Sequence, residues 1–377
     1  MTSPLNVLRD RSRHAGAICL LSSGVCLGAY IPAVQLLSAL SKQGRRVYLD
    51  VLEQHFSMTD QQRILGTRDR YQQNFRIALA GRRLHGVLNS SVDVTDDERL
   101  FALWRERKIA RFIVLQGQWM AVLSRYLKAT DSAFGVEALH LDVEDAPSWR
   151  AARDQSSNAA WSICDERRWL GEDGTLHFWI GDDPRAPASF DERRRALVVH
   201  GGGWALGDFV EQSQRLAEHF DIELLAGSKE TPPIASANVR VHTIPPTWAP
   251  WNAPSDRPYP PLIQNGKTTT TALSDSGRVN RFHEMSRLSV ALVSKPGGST
   301  MLESIATATP IIFLRACGEH EEANARAWVR RGFGTSMEDW ERSDFSLDWL
   351  KRMHLALLDA RMTAPCSGTS QWAETDP

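Results

Sequence analysis

The chain has 377 residues, of which 42% are hydrophobic and 24% are charged, and its 44 Lys and Arg nearly balance its 45 Asp and Glu. At about 100–200 residues per domain, this length predicts two domains. The apolar fraction excludes wholesale disorder, a collagenous chain and a small disulfide-stapled fold. A net charge of -1 provides no overall attraction to nucleic acid or anionic lipid, although it leaves a local basic patch open, and we expect no nucleic-acid partner.

The five cysteines are far apart and form no C-x-x-C pair. This spacing argues against a zinc site or a disulfide framework and favours the reducing cytoplasm as the location. Near the N-terminus, arginines at 9, 11 and 13 precede an uncharged run over 15–40 that imitates a targeting segment. Ser22 to Gly24 and Pro32 break this run into a strand-sized and a helix-sized piece, so we expect no stable membrane insertion.

The N-terminal half begins with a strand–loop–helix–strand unit. Ala17 to Leu21 is a continuous apolar strand, apolar residues at 33, 36, 37 and 40 mark one helix face, and 46–52 is the next strand. Further strands follow at 112–115 and 138–142, and the Pro-rich stretch 183–190 suits a linker. Such units predict a parallel sheet with right-handed crossovers.

The C-terminal half repeats the pattern with strands at 196–200, 222–226, 288–293 and 310–314. An irregular Pro-rich segment covers 243–262, and 340–361 is predicted to be one helix. We therefore predict an α/β protein with two Rossmann-like domains facing a cleft. The predicted domains are 1–187 and 188–377, with a frayed tail after about 362.

The strongest motif is Ser294-Lys-Pro-Gly-Gly-Ser-Thr-Met-Leu-Glu303. A strand delivers the chain to Gly297 and Gly298, where backbone N–H groups can approach a ligand, and the N-terminus of the next helix points at the same place. This arrangement is suited to holding a diphosphate without a metal. Ser299 and Thr300 add hydroxyl donors, and Glu303 is placed to accept from ribose hydroxyls.

Two alternatives accompany this motif. Thr300-x-x-Glu303 is also a capping box, which requires no ligand. Downstream, Glu321 and Asn324 follow the strand at 310–314 and are candidates for binding sugar hydroxyls. The alternative is that these residues only form the acid-rich first turn of a helix, which the helix dipole favours.

These residues carry a resemblance. Val293 to Ser304, then Thr309-Pro310, Glu321-x-x-Asn324-Ala325 and Gly332, resemble the donor-binding half of GT-B glycosyltransferases, in particular the enzyme that adds N-acetylglucosamine to the lipid-linked peptidoglycan precursor. The resemblance implies that the Gly-rich turn holds the diphosphate of a UDP-sugar, that the Glu holds the ribose and that the later Asn holds the sugar. It also implies that no metal or other cofactor is needed and that the acceptor, small or lipid-like, binds the N-terminal half.

By this resemblance the donor-binding residues are Gly202, Gly203, Lys295, Gly297, Gly298, Ser299, Thr300, Glu303, Glu321 and Asn324. Glu321 stands where the family usually has Gln. Gly24 and Gly28 belong to the acceptor-side loop, but the family pattern Gly-His-x-x-Pro reads Gly28-Ala-Tyr-Ile-Pro32 here. Ala29 cannot accept a proton, so Asp142 and Glu144, which follow the strand at 138–142, become the candidate general bases.

A second motif indicates other chemistry. His200-Gly-Gly-Gly-Trp204 resembles the oxyanion-hole segment of α/β-hydrolases, but the chain contains no G-x-S-x-G nucleophile elbow. We therefore predict a metal-independent glycosyltransferase that moves a hexosyl or N-acetylhexosaminyl group. The alternatives are a GT-B-fold nucleotide-sugar epimerase or hydrolase, an esterase, and a binding protein on a degenerate transferase fold.

Overall fold

The computed structural model describes residues 16–25, 27–73, 96–155, 159–183, 185–203, 205–227, 236–264 and 277–366. These residues form two mainly parallel sheets flanked by helices. The strands are β1 (Ala17–Ser22), β2 (Val47–Val51), β3 (Ile109–Val114), β4 (Gly135–His140), β5 (Cys164–Arg168), β6 (Arg194–His200), β7 (Asp221–Ala226), β8 (Val239–Thr243), β9 (Ile263–Gln264), β10 (Ser289–Ser294), β11 (Ile311–Phe313) and β12 (Gly334–Ser336).

The α-helices lie between these strands. They are α1 (Leu27–Lys42), α2 (Met58–Gln73), α3 (Asp97–Glu106), α4 (Trp119–Ala129), α5 (Pro147–Asp154), α6 (Phe209–Leu216), α7 (Arg281–Leu288), α8 (Gly298–Thr307), α9 (Glu319–Arg330), α10 (Met337–Arg342) and α11 (Leu347–Thr363). Short 3₁₀ turns cover Leu52–His55, Ala159–Ile163, Phe190–Glu192 and Pro250–Asn252.

The first sheet has the strand order β2-β1-β3-β4-β5, and all its pairs are parallel. Every residue of β1 is buried, as expected for a central strand covered on both faces. The chain order reverses between β1 and β3, and the loops after these two strands therefore diverge to opposite faces of the sheet. A crevice opens at such a switch point, at the carboxyl ends of the strands.

The second sheet has the order β12-β11-β10-β6-β7-β8-β9, and only the short β8–β9 pair is antiparallel. Its switch point lies between β6 and β10, whose carboxyl ends are His200 and Ser294. The two glycine-rich segments found in the sequence follow these two strands directly. The two Rossmann-like sheets that the sequence predicts are therefore confirmed.

The two halves share apolar surface. One core cluster contains buried residues from both sheets and from α1 and α8, and Trp169 lies against Trp328 with ring centroids 5.8 Å apart. Burying apolar area of this kind is the main favourable contribution to holding two such units together.

Two segments cross from one half to the other. Trp251 and Tyr259, on the Pro-rich segment of the C-terminal half, belong to the core cluster of the first sheet. At the chain's other end, Pro365 accepts a hydrogen bond from the backbone N–H of Trp179. We keep a domain boundary near residue 187 as a proposal. These two crossing segments pack against the half to which they do not belong in sequence.

Three local predictions change. Helix α1 begins at Leu27 and continues through Pro32, so the proline does not break the run as predicted. The single helix predicted over 340–361 is two helices, because Asp344 and Phe345 have positive φ angles and Ser346 caps α11. A frayed tail is predicted after about 362, but Ala364 is buried, and the rest of that prediction falls on residues 367–377, outside the described part of the chain.

Among the described residues, no helix combines the length and the apolar character needed to span a bilayer.

Candidate active site

A cleft of about 490 Å³ lies where the carboxyl ends of the two sheets face each other. It is lined by every candidate residue except Glu144 and Asn324. The lining candidates are Gly24, Gly28, Asp142, Gly202, Gly203, Lys295, Gly297, Gly298, Ser299, Thr300, Glu303 and Glu321. The structure thus brings together residues from both switch points.

Gly297 is the N-cap of α8, and its backbone has the extended angles φ -78° and ψ 144° that any residue adopts. A Cβ built at Gly297 meets no atom within 4 Å. Neither conformation nor packing in this structure therefore requires a glycine here. The absence of a side chain instead leaves room on the cleft side of the helix N-terminus.

The capping-box alternative is wrong. The helix begins at Gly298, so Thr300 lies inside its first turn, and its N–H donates to the carbonyl of Gly297 at 3.0 Å. No side chain caps α8. Glu303 therefore has no capping role in the described structure.

Gly298 makes close contact with the loop after β4. Its N–H donates to Oδ1 of Asp142 at 3.2 Å, and a Cβ on this residue would lie 2.0 Å from the carbonyl oxygen of Leu141. Here the glycine is required by packing between the two halves. The positive end of α8 thus already faces a carboxylate from the N-terminal half.

Asn324 does not face the cleft, in contrast to the prediction that it contacts the sugar. It is fully buried, its Oδ1 accepts from the N–H of Val143 at 2.9 Å, and its Nδ2 donates to Asp142 at 2.7 Å and to the carbonyl of Pro296 at 2.9 Å. Its amide therefore connects the two loops on either side of the cleft.

Glu144 also lies outside the cleft. Its side chain is 44% exposed and lies 3.5 Å from the guanidinium of Arg326. Of the two candidate bases, only Asp142 lines the cleft. Burial raises the pKa of Asp142, although nearby His320 and the hydrogen bond from Asn324 oppose the shift.

Glu303 is buried on the cleft side of α8, with 3% of its side chain exposed. Its Oε1 lies 2.8 Å from Nδ1 of His283 on α7. The other ring nitrogen of His283 lies 3.4 Å from Oδ2 of Asp183, in the segment between the sheets. The carboxylate predicted to bind ribose is thus held by a histidine.

Lys295 and Glu321 form a buried ion pair with Nζ and Oε1 3.2 Å apart. The other oxygen of Glu321 accepts from the N–H of Cys317 at 2.5 Å. Burial disfavours both charges, but their mutual attraction outweighs it, raising the pKa of Lys295 and lowering that of Glu321. The pair places a cation beside Gly202, where a Cβ would lie 3.7 Å from the Lys295 ammonium.

His200, at the end of β6, is neutral. Burial, together with the charge of Lys295, lowers its pKa to about 3. Its Nδ1 accepts from the N–H of Gly202 at 3.1 Å and lies 3.4 Å from Oγ of Ser294. Ser294 is fully buried at the end of a strand rather than on an exposed turn, so this arrangement does not present a serine nucleophile.

The acceptor-side loop is fixed by a buried carboxylate. Glu53 accepts hydrogen bonds from Oγ of Ser23 and N–H of Gly24, both at 2.6 Å, and from N–H of Val25 at 3.2 Å. Gly24 is close to Pro250 of the other half, where a Cβ would lie 2.7 Å from the ring. Ala29 is buried and lines the cleft, which confirms that no titratable side chain occupies this position.

Sequence reasoning missed part of the cleft wall. Phe282, Pro250 and Trp248 supply apolar surface, and His320 on α9 adds a titratable ring. Nδ1 of His320 and Nε1 of Trp248 have no hydrogen-bond partner within the described ranges. The Pro-rich segment 243–262, with its tryptophans, was a signal for Pro250 and Trp248 but not for Phe282, which lies on α7. The crossing of that segment to the other half cannot be deduced from composition.

No group of three or more metal-ligating side chains occurs in the part of the chain that the structure describes.

Neither protein-family models nor curated protein sequences match this chain. Solved structures match it over nearly its whole length. The glycosyltransferase SnogD from Streptomyces nogalater is 13% identical, with a TM-score of 0.50, covering 94% of this chain and 97% of that one. The spinosyn rhamnosyltransferase SpnG is 12% identical, with a TM-score of 0.53 and coverage of 93% and 97%.

The chain has the GT-B fold. A third match is the glycosyltransferase SsfS6 from Streptomyces sp. SF2575, complexed with thymidine diphosphate, at 13% identity and a TM-score of 0.51, covering 94% of this chain and 97% of that one. The fold implied by the sequence resemblance is therefore confirmed, including its second sheet with the glycine-rich turn at the switch point.

Proposed function

We propose that this GT-B protein is a glycosyltransferase that uses a nucleoside diphosphate sugar and an acceptor of small or lipid-like character. The observation that carries the proposal is the open space at Gly297, in the cleft, at the N-terminus of α8. Gly297 has dihedral angles that any residue adopts, and a Cβ there would contact no other atom, so the missing side chain leaves room for a ligand to approach closely. The positive helix end next to it favours an anionic one.

In this proposal the diphosphate binds against the turn from Gly297 to Thr300. The backbone N–H of Ser299 and the hydroxyls of Ser299 and Thr300 add donors. The Lys295 ammonium, two residues before Gly297 and paired with Glu321, adds a cation beside Gly202. As the acceptor attacks the anomeric carbon, negative charge grows on the leaving diphosphate. Fixed dipoles aimed at that charge stabilise the transition state without a metal.

Glu303 accepts from the ribose, one turn further along α8. The sequence resemblance suggests UDP, whereas SsfS6 was crystallised with thymidine diphosphate, whose sugar lacks the 2′-hydroxyl. Both nucleotides keep the 3′-hydroxyl, which Glu303 can accept from in either case. The choice of base and of donor sugar is therefore left to experiment.

Asp142 is the proposed general base. Burial raises the pKa of Asp142, which makes its carboxylate a stronger base than an exposed one, and within the described ranges no hydrogen bond reaches its Oδ2. Its Oδ1 accepts from the N–H of Gly298, at the end of the helix where the diphosphate binds. We therefore expect the loop after β4 to shift slightly when the donor enters.

The acceptor would lie beside the acceptor-side loop, against Leu27, Ile31, Trp248 and Pro250. Aromatic and aliphatic surface of this kind favours an apolar acceptor. Trp248 Nε1 supplies one donor for orienting it.

The test is a thermal-shift panel of UDP, dTDP and their common sugar derivatives. A ligand present at 100 times its dissociation constant stabilises a protein by about 2.7 kcal/mol, which is easily detected. We expect one nucleoside diphosphate and its sugar derivative to stabilise the protein and free phosphate to have no effect. A panel without any stabilising nucleotide would remove the proposal.

The alternative that the same site supports is a nucleotide-sugar epimerase or hydrolase. Incubation with the stabilising nucleotide sugar and no acceptor distinguishes the two. Rapid release of the nucleoside diphosphate or a new sugar epimer would favour the alternative. The transferase predicts release only after an acceptor is added.

Activity should survive EDTA. The positive charge that the leaving group needs is supplied by the N-terminus of α8 and by Lys295, not by a divalent ion. The measurement is nucleoside diphosphate release in the presence of excess EDTA. Complete loss of activity that Mg²⁺ or Mn²⁺ restores would contradict this expectation.

A further inference from the structure

His283 lies between two carboxylates that come from different parts of the chain. Its Nδ1 is 2.8 Å from Oε1 of Glu303, on the cleft side of α8, and its Nε2 is 3.4 Å from Oδ2 of Asp183, in the segment that connects the two sheets. Only 9% of the histidine side chain is exposed. The ring is therefore a buried bridge between the cleft and the connecting segment.

The chemistry of this bridge requires two donors. A neutral imidazole carries one N–H and one acceptor nitrogen, and an acceptor nitrogen facing a carboxylate is repulsive. Both ring nitrogens lie within ion-pair distance of carboxylate oxygens, an arrangement that favours the imidazolium over the neutral ring. Burial alone lowers the pKa of His283, but the carboxylates of Glu303, Asp183 and Asp182 outweigh it, and the pKa is raised.

The surrounding charges are consistent with a cationic ring. Asp182 accepts from the hydroxyl of Tyr259 at 2.9 Å, and Asp183 also pairs with Arg185, which in turn pairs with Glu284. The other charged and titratable groups around His283 come from several elements. Glu303 lies on α8, Glu284 on the same helix as His283, and Tyr259 on the Pro-rich segment. Asp182, Asp183 and Arg185 belong to the connecting segment, and Arg361 on α11 interacts electrostatically with Asp183.

The helix that carries His283 is fixed in place at both ends. Oδ1 of Asn280 caps α7 by accepting from the N–H of His283 at 3.2 Å. Near the other end, the carbonyl of Ser286 accepts from Oγ1 of Thr309 at 2.9 Å, beyond the C-terminus of α8. The cap orders the start of α7, and the bond from Thr309 ties its end to the residues that follow α8, so His283 is presented to Glu303 from an ordered helix.

We propose that His283 is a positioning residue of the nucleoside subsite, which as an imidazolium fixes the carboxylate of Glu303 for the ribose and connects it to the segment between the two halves. The proposal rests on the proposed function, because it assigns the ribose to Glu303. A buried carboxylate without a counter-charge is costly, and a carboxylate free to rotate loses affinity for a ligand that needs one orientation.

The test is His283→Gln, which preserves a polar side chain but cannot carry a positive charge. The readout is the dissociation constant for UDP-glucose and dTDP-glucose between pH 6 and pH 9, a range in which their diphosphate diesters do not titrate. We expect about tenfold weaker binding at pH 6.5, where wild type carries the imidazolium. The difference in dissociation constant between the variant and wild type should narrow as the pH rises through the raised pKa of His283, because the wild-type histidine then loses its positive charge.

Asp183→Asn provides a second test, the pH dependence of nucleotide-sugar affinity, in a variant that keeps the histidine. Without this carboxylate the pKa of His283 falls, so the loss of affinity with rising pH should begin at a lower pH than in wild type. A purely structural role would not move this pH profile. This variant also keeps the proposal falsifiable if His283→Gln fails to fold.

Glu284→Gln is the matched control, because Glu284 lies on the same helix and pairs with Arg185 but does not touch Glu303. It should bind both nucleotide sugars as wild type does at every pH. Wild-type affinity in His283→Gln at pH 6.5, or an equal loss at every pH with an unshifted Asp183→Asn profile, would overturn the positioning role. If wild type binds neither nucleotide sugar, the proposed function itself fails, and the positioning role falls with it.

Discussion

Gly297→Val should weaken nucleotide-sugar binding by at least about a hundredfold, or about 2.7 kcal/mol, without unfolding the protein. The extended backbone at this position suits a β-branched residue, and a Cβ there meets nothing within 4 Å. Because valine is a poorer N-cap residue than glycine, the free energy of unfolding should fall by about 1 kcal/mol or less. The valine methyl groups would instead fill the space next to the N-terminus of α8, where the diphosphate binds.

Gly66→Val is the matched control for this variant. Gly66 lies on α2, where a Cβ also meets no atom within 4 Å, and it does not line the cleft. It should bind nucleotides normally. Calorimetric titration and thermal melting of both variants provide the comparison, and normal affinity in Gly297→Val would exclude this turn as the diphosphate site.

Gly298→Val is not an equivalent experiment. A Cβ at Gly298 would lie 2.0 Å from the carbonyl oxygen of Leu141. The substitution would force the two halves apart, so a loss of binding would report on packing between the halves as well as on the ligand. A glycine at 298 is thus required by packing between the halves, whereas the glycine at 297 leaves space for a ligand.

Asp142→Asn should lower kcat by about 10²- to 10⁴-fold with little change in donor affinity. Asn retains an oxygen that can accept from Gly298 and Asn324, so the contact between the halves survives, but it cannot take the acceptor's proton. The measurement is nucleoside diphosphate release with an acceptor that supports turnover by wild type. Wild-type kcat/KM should fall at low pH around the raised pKa of Asp142, because the protonated carboxyl is not a base.

Glu144→Gln serves as the control on the same loop, since Glu144 does not line the cleft and lies 3.5 Å from Arg326. It should retain wild-type kcat. If Asp142→Asn turns over normally while Glu144→Gln is inactive, the assignment of the base is reversed, and the loop after β4 must rearrange more than the structure indicates.

The fold was predictable from the sequence because its signals are local and mutually consistent. Continuous apolar strands such as β1 and β10 are typical of sheets covered on both faces, and Gly297 and Gly298 directly after β10 mark a strand-to-helix turn. Each signal depends on neighbouring residues in the chain, and together they are compatible with few topologies.

The site was only partly predictable, because its remaining features depend on contacts between distant residues. Asn324 was expected to face the sugar, but its amide bonds to Val143 and Asp142, more than 180 residues away. The residues around Glu303 in the sequence do not indicate that its carboxylate will contact the His283 ring. The crossing of Trp251 into the core of the first sheet is likewise a property of the folded chain.

The central claim is that a nucleoside diphosphate lies with its phosphates on the turn from Gly297 to Thr300 and its ribose on Glu303. The most direct measurement is a crystal structure of the protein soaked with UDP or dTDP. We predict phosphate oxygens within hydrogen-bond distance of the backbone N–H groups at the start of α8, and a ribose hydroxyl within about 3 Å of the Glu303 carboxylate. A nucleotide bound elsewhere, or with its phosphates directed away from this turn, would contradict the claim.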